Sequence, residues 1–388
     1  MNPEKVSIYA VGDVIPDRPN PESLFELALP TLKEADILFG QLEAPLTEKG
    51  EPQLQAFPEG EPQLQAFPRG CGRWLIPEWV SGLTYAGFDV MSFASNHTLD
   101  RSEEGLFATI DTLTKNNIAV IGVGKNIDEA RKPLILERKG TKVAFLAYGS
   151  VLPKGYEARA DKSGCAPIRA FTSYEQVDWQ PGTPPRVLTF ANKGDLTAMV
   201  DDIKKVRPLA EVVIMSIHWG VHNVPGMIAM YQKEIGYAAI DAGVDLILGH
   251  HGHILKGIEV YKGKVIFYDL ANFVVPTKPS GWRSPVKAMY GIKVDTEYPD
   301  YDMPVDSRKS MIAKCIISDK KIERVSYFPV MINGHAQPEV LSRSDKRSSE
   351  VFEYMNWCCN NQGLDSKFSW EGDEVVIRTT GLKSGSNR

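Results

Sequence analysis

The stretch DLILGHHGHILKG, residues 245–257, starts as a short apolar run and breaks into Gly249-His250-His251-Gly252-His253. Leu246-Ile247-Leu248 reads as a buried strand of a parallel sheet, flanked by residues that end it. Three of the chain's seven histidines then crowd the strand's exit. Ligands of open α/β sheets bind beyond the carboxyl ends of the strands. What the neighbouring strands deliver to the same place therefore decides both the fold and the chemistry.

Other short apolar runs lie at 6–11, 37–40, 90–94, 118–121, 143–148 and 212–217, and each reads as a buried strand. Between them lie the amphipathic segments PESLFELALPTLKEA (21–35), PEWVSGLTYAGF (77–88), SEEGLFATIDTLTKNN (102–117) and MIAMYQKEIGYAAIDAG (227–243). Pro21 suits a first helical turn. The alternation predicts an α/β layered fold. After Gly257 the pattern turns to hairpins, with turns at Lys262-Gly263 and near Asp319-Lys320, and predicts a second, partly antiparallel sheet beside the first. Residues 344–363 suit a helix. The division expected is one domain over 1–335, followed by a helical extension and tail over 336–388. The Pro- and Gly-rich residues 151–192 are expected to be a long irregular loop that shapes access to a site. GEPQLQAFP occurs twice over 50–69, too few copies for a solenoid, and is expected to lengthen a surface loop.

Listed together, the strand ends give Gly12-Asp13, Gln41-Leu42-Glu43, Ser95-Asn96-His97, His218-Trp219-Gly220 and the histidine cluster. Alone, Asp13 could cap a helix and Asn96-His97 could form a turn. As a set they bring two carboxylates, an amide and several imidazoles to one edge. That mixture suits Zn, Fe or Mn better than Mg or Ca, which prefer all-oxygen sites.

The ordered set, continued by Thr98-Leu99-Asp100 and by the trailing Ile266-Phe267-Tyr268-Asp269-Leu270-Ala271-Asn272-Phe273, resembles the calcineurin-like metallophosphoesterases. More closely it is similar to their branch named for poly-gamma-glutamate capsule biosynthesis, the CapA type, over residues 5–275. The resemblance implies a four-layer αββα sandwich with a pair of divalent transition metals, Mn, Fe or Zn, at the strand ends. It implies Asp13 as a ligand of one metal, Glu43 as the bridge, and Asn96 and His218 as ligands of the second. His251 and His253 would close the pair from the last strand. His97 would be the general acid and Asp100 would orient it. Arg18 is a candidate clamp for an anionic group, since guanidinium matches phosphate and carboxylate bidentately. The histidine that metallophosphoesterases commonly carry two residues after the first-strand aspartate is Ile15 here. His250 and Asp17 are the reserve candidates for that ligand, and Asn272 for substrate contact.

These expectations amount to a metal-dependent hydrolase of a phosphoester or a related small anionic substrate. Two alternatives stay open: amide or γ-glutamyl bond chemistry, and a non-catalytic anion-binding protein on the same scaffold. A composition of 43% hydrophobic and 24% charged residues with a net charge of -5 is that of a globular domain and argues against a nucleic-acid partner. No apolar run approaches the ~20 residues of a membrane span. Five cysteines without disulfide or zinc spacing fit reduced thiols. A cytoplasmic protein without a membrane partner is expected, and a homodimer is compatible with the sequence.

Overall fold

The computed structural model describes residues 4–52, 74–277 and 295–379. Most of the duplicated segment 50–69, and the chain's last residues, lie outside them. Two mixed β-sheets stack face to face, with helices on both outer sides. The first sheet contains the parallel strands β1 (Val6–Val14), β2 (Ile37–Leu42), β3 (Val90–Ser92) and β4 (Ala119–Ile121). On its other edge β1 runs parallel to the short β15 (Asn272–Val274) and antiparallel to β16 (Lys309–Ser318). Beyond β16 come β17 (Lys321–Ile332) with β18 (Pro338–Val340), then β20 (Glu374–Ile377) and β19 (Phe368–Glu371).

The second sheet has the order β13 (Ile258–Tyr261), β14 (Lys264–Phe267), β12 (Leu246–His250), β11 (Val212–His218), β7 (Thr141–Gly149) and β6 (Leu134–Arg138). Its inner four strands are parallel. The late hairpins are thus shared between the sheets: β13–β14 extends the second, whereas β16–β17 extends the first. Both hairpins use two-residue turns with positive φ, Lys262-Gly263 and Asp319-Lys320, the geometry that matches strand twist.

Side-chain alternation explains the layering. Ile8, Ala10 and Phe39 face the second sheet and join one core with Phe145, Ile214 and Leu246; Phe39 stacks on Phe145 with ring centroids 6.0 Å apart. Tyr9, Val11, Leu38 and Met91 point the opposite way and form the other core. The latter is closed by α1 (Leu29–Leu32), α2 (Val80–Ala86) and α3 (Ser102–Lys115). On the far side of the second sheet lie α5 (Lys193–Val206) and α6 (Met230–Ala242), which pack Met199, Ile203, Ile235 and Ala239 onto its outer face as part of the same continuous cluster. The order is helix, sheet, sheet, helix.

Three expectations are revised. The helix anticipated over 21–35 is a 3-10 turn, Pro21–Leu24, and the four-residue α1, because Pro30, the second residue of α1, lacks the N–H that would continue a hydrogen-bond ladder from the preceding turn. The stretch 151–192 is not irregular throughout. It carries β8 (Gly164–Cys165), which pairs with β5 (Val123–Gly124) beside the one-turn α4 (Ile127–Ala130), and a hairpin of β9 (Ala170–Glu175) and β10 (Arg186–Ala191). Residues after 335 do supply a helix, α7 (Lys346–Asn361), but also β19 and β20, which pair onto β17 and continue the first sheet.

Candidate metal centre

The two sheets place their chemistry at one shared edge. Asp13 is the penultimate residue of β1, and Glu43 follows β2 directly. Gly12 lets β1 pass the following segment closely, since a Cβ there would sit 1.9 Å from the Ala271 carbonyl oxygen. Asn96 and His97 follow β3 in a turn knitted by Thr98, whose hydroxyl donates to the Phe93 carbonyl and accepts from the Ser95 N–H. From the second sheet, His218 ends β11 and pairs in register with His250, which ends β12. His251 and His253 then adopt φ of 98° and 56°. This left-handed backbone folds the loop back towards β1. Asp269 braces it by accepting the N–H groups of Gly252 and Ala271.

Asp13, Glu43 and His218 each offer a ligand atom within 4.8 Å of the others, and all three are buried. Glu43 Oε1 lies 2.9 Å from His218 Nδ1. Around this nucleus the imidazoles fall into two groups. His253 Nδ1 is 3.1 Å from Asp13 Oδ2 and 2.8 Å from Asn272 Oδ1. His218 Nε2 is 2.7 Å from Asn96 Oδ1 and 3.0 Å from His251 Nδ1. The structure therefore gathers Asp13, His253 and Asn272 on one side, Asn96, His218 and His251 on the other, and Glu43 between. His250 is fully buried, with Nδ1 3.7 Å from Asp13 Oδ1. Ile15 belongs to the apolar core.

The donors behave as a set built for cations. Both Asp13 oxygens, Glu43 Oε1, His218 Nδ1 and both ring nitrogens of His250 are buried without an aligned hydrogen-bond partner. Native interiors rarely tolerate such atoms unless an ion or water satisfies them. Burial, and then the neighbouring Glu43 charge, pushes the Asp13 carboxyl well above the usual carboxylate range. Burial works in the same direction on Glu43, but the charges of His218 and His97 outweigh it and lower its pKa to about 2. Burial depresses His250 to about 3, and His251 and His253 in the same direction, keeping them neutral and able to ligate. Carboxylate, amide and neutral imidazole in one pocket fit divalent transition metals.

Beside the cluster, His97 Nδ1 is 2.7 Å from Asp100 Oδ2, and its Nε2 is 3.8 Å from Glu43 Oε2. Asp100 also accepts from the Tyr156 hydroxyl at 3.2 Å. The sequence contains no cue for Tyr156, which arrives from the stretch anticipated as a loop. Asn272 donates to the Tyr301 hydroxyl, which donates in turn to the Ser307 carbonyl. His222 stacks on His251 at 3.9 Å at the mouth of the site. Arg18 is engaged elsewhere: its guanidinium donates to the His335 carbonyl and pairs with Asp300 at 3.5 Å. Asp17 is not part of the three-ligand group. Among the described residues no helix is long and apolar enough to cross a membrane.

The chain is 27% identical over 288 residues to the PGA biosynthesis protein CapA of Bacillus subtilis, covering 71% of this chain and 64% of that protein. It is 26% identical over 289 residues to the capsule biosynthesis protein CapA of Bacillus anthracis, covering 72% and 61%. It thus spans less than two thirds of the length of these relatives. Among solved structures it is similar to the calcineurin-like phosphoesterase YfkN of Bacillus subtilis, at 12% identity and a TM-score of 0.40, covering 92% of this chain and 97% of that one. The family model of the bacterial capsule synthesis protein PGA_cap matches residues 7–277, a span that contains every strand end described above. By that match the chain belongs to the PGA_cap family.

Proposed function

We propose that the chain is a metal-dependent hydrolase acting on a phosphoester or a related small anionic substrate. The observation that carries this reading is the juxtaposition of a buried carboxylate–imidazole cluster, several of whose polar atoms lack an aligned hydrogen bond, with an oriented His97–Asp100 pair. Asp13, His253 and Glu43 would hold one ion, and Glu43, Asn96, His218 and His251 the other. A bound pair contributes Lewis-acid polarisation and an activated water near neutral pH. The rest of the work falls to the protein. Asp100 holds the Nδ1 proton of His97, which leaves Nε2 facing the cluster to deliver a proton to the departing oxygen as water adds and the ester bond breaks. Asp13 and Glu43 are almost wholly buried, which keeps bulk water from the carboxylates. A reducing, cytoplasmic setting suits the buried free thiols of Cys165, Cys315, Cys358 and Cys359.

The names of the relatives favour a second reading, in which the same cluster serves amide or γ-glutamyl chemistry. The test is metal analysis of the purified protein, followed by a panel of aryl phosphates and γ-glutamyl anilides with added Mn²⁺. Phosphate ester turnover that disappears with a chelator is the expected result. Turnover of the anilides alone would replace the first reading with the second. Uptake of no metal on titration would leave an anion-binding protein.

A further inference from the structure

Next to His97 and Asp100 lies a cavity of about 240 Å³ that the cluster does not use. One wall is the start of α3, with Leu99, Ser102 and Glu103; the other is the turn carrying Lys154, Tyr156 and Lys162. The turn is rigidly placed. Cys165 donates its N–H to the Tyr156 carbonyl, and Ala158 donates to the Cys165 carbonyl. The same segment is anchored at the metal end, where the Ser150 N–H donates to the His218 carbonyl at 2.9 Å. Lys162 donates to the Gly155 carbonyl, and Glu103 accepts from the Ser163 hydroxyl at 2.7 Å. Lys154 is different: among the described residues it makes no hydrogen bond or ion pair, although it stands at a cavity whose only described carboxylate is already engaged. Tyr156 forms the cavity's inner wall and simultaneously holds Asp100.

We propose that this cavity receives an anionic group, carboxylate or phosphate, on the leaving portion of the substrate, with Lys154 as its principal counter-charge. The proposal rests on the hydrolase reading for the word "leaving", and on the cavity alone for anion binding. His97 protonates the departing oxygen, so the leaving portion lies on the His97 side, where the cavity begins two residues further along the chain at Leu99. An exposed ammonium at a cavity edge that has no protein partner to give up keeps the whole of a ligand's charge for itself, with a gain that solvent screening limits to a few-fold in affinity. The site would therefore select substrates whose two ends are both anionic.

The experiment compares phenyl phosphate, 4-carboxyphenyl phosphate and 1,4-phenylene bisphosphate as substrates of the Mn²⁺-loaded protein, using wild type, Lys154→Met and Lys154→Arg. The expected result is a KM about three- to fivefold lower for the charged leaving groups, roughly the effect of one ion pair with an exposed lysine. Lys154→Met should erase that advantage by raising KM for the two charged substrates only, and Lys154→Arg should restore it. Whichever of the two charged probes keeps the advantage identifies the anion. Equal KM values for all three in the wild type, or an equal rise for all three in Lys154→Met, would overturn the proposal. If no phosphate ester turns over, the hydrolase reading fails, but titration of the protein with 4-hydroxybenzoate and 4-hydroxyphenyl phosphate still decides the cavity. Saturable binding of either that is lost in Lys154→Met supports it, and no binding to the wild type refutes it.

Discussion

Replacing Asp13 by asparagine should stabilise the metal-free protein and abolish its stabilisation by metal, two effects of opposite sign from one isosteric change. Asp13 is fully buried, neither oxygen has an aligned donor, and the Glu43 carboxylate is close enough to raise its pKa. An unpartnered buried group costs about 1–3 kcal/mol and more when it is charged; the amide keeps the shape and the polar atoms but removes the second negative charge beside Glu43, so the gain expected is the charge's excess, roughly 1–3 kcal/mol. At about 2 °C per kcal/mol for a chain of this size, Asp13→Asn should unfold roughly 2–6 °C higher than wild type in EDTA near pH 8. In Mn²⁺ at about a hundred times its Kd, the wild type should gain ~2.7 kcal/mol, or about 5 °C. Having lost a ligand, the variant should gain little. Thermal unfolding of both proteins, with and without metal, measures all four midpoints. A variant less stable than wild type in EDTA, or an equal rise for both in Mn²⁺, would refute the assignment of Asp13 as a ligand held ready for a cation.

Further outcomes follow from the same geometry. Without metal, stability should peak between about pH 5 and 7. Asp13 and Asp269, the latter raised to about 8 by burial and then by Asp13, hold protons more tightly in the fold, so their penalty grows as pH rises from about 4 towards 8. His250, His251 and His253, lowered by burial, are neutral in the fold, so the stability they contribute is lost as pH falls below about 6.5. A midpoint in EDTA that climbs steadily from pH 5 to 8.5 would contradict this. His97→Asn should lower kcat by about 10²–10⁴ with metal content unchanged, and Asp100→Asn by about 10–100. Metal analysis beside kinetics checks both, and loss of metal in either would make these residues ligands instead. His251→Ala and His253→Ala should each weaken metal retention at least about tenfold, whereas His250→Ala should cost less. Equal losses in all three, by competition with a chelator, would place His250 among the ligands.

The strand ends were legible because each is a polar residue set against the end of a run too apolar to be anything but buried. Asp13, Glu43, Asn96 and His218 satisfy that test, and the structure brings them together. The helical layers were readable where amphipathic spacing continues for ten or more residues, as in α3 and α6. Where one residue overrides a pattern, the pattern misleads, and Pro30 breaks a segment whose apolar spacing is otherwise helical. Composition hid the β9–β10 hairpin, since a strand with Phe171, Tyr174, Val187 and Phe190 exposed lacks the buried face that periodicity detects. The sheet joined by each late hairpin is a matter of long-range pairing, which no local window contains. The roles of Tyr156 and Asp269 were not legible for a related reason: both act by holding a partner that lies far away in sequence or on a different loop.

The candidate ligand set divides between the two sheets, with Asp13, Glu43 and Asn96 carried by the first and His218, His251 and His253 by the second. Elsewhere the facing surfaces meet through interchangeable apolar side chains such as Phe39 and Phe145, which resist separation far more than they resist sliding. The polar cluster is directional where the core is not. A cation bound there would act as a rivet at one end of a laminate, fixing how far one layer can shear over the other, so the alignment the proposed chemistry needs would also be the one that sets the register of the stacked sheets.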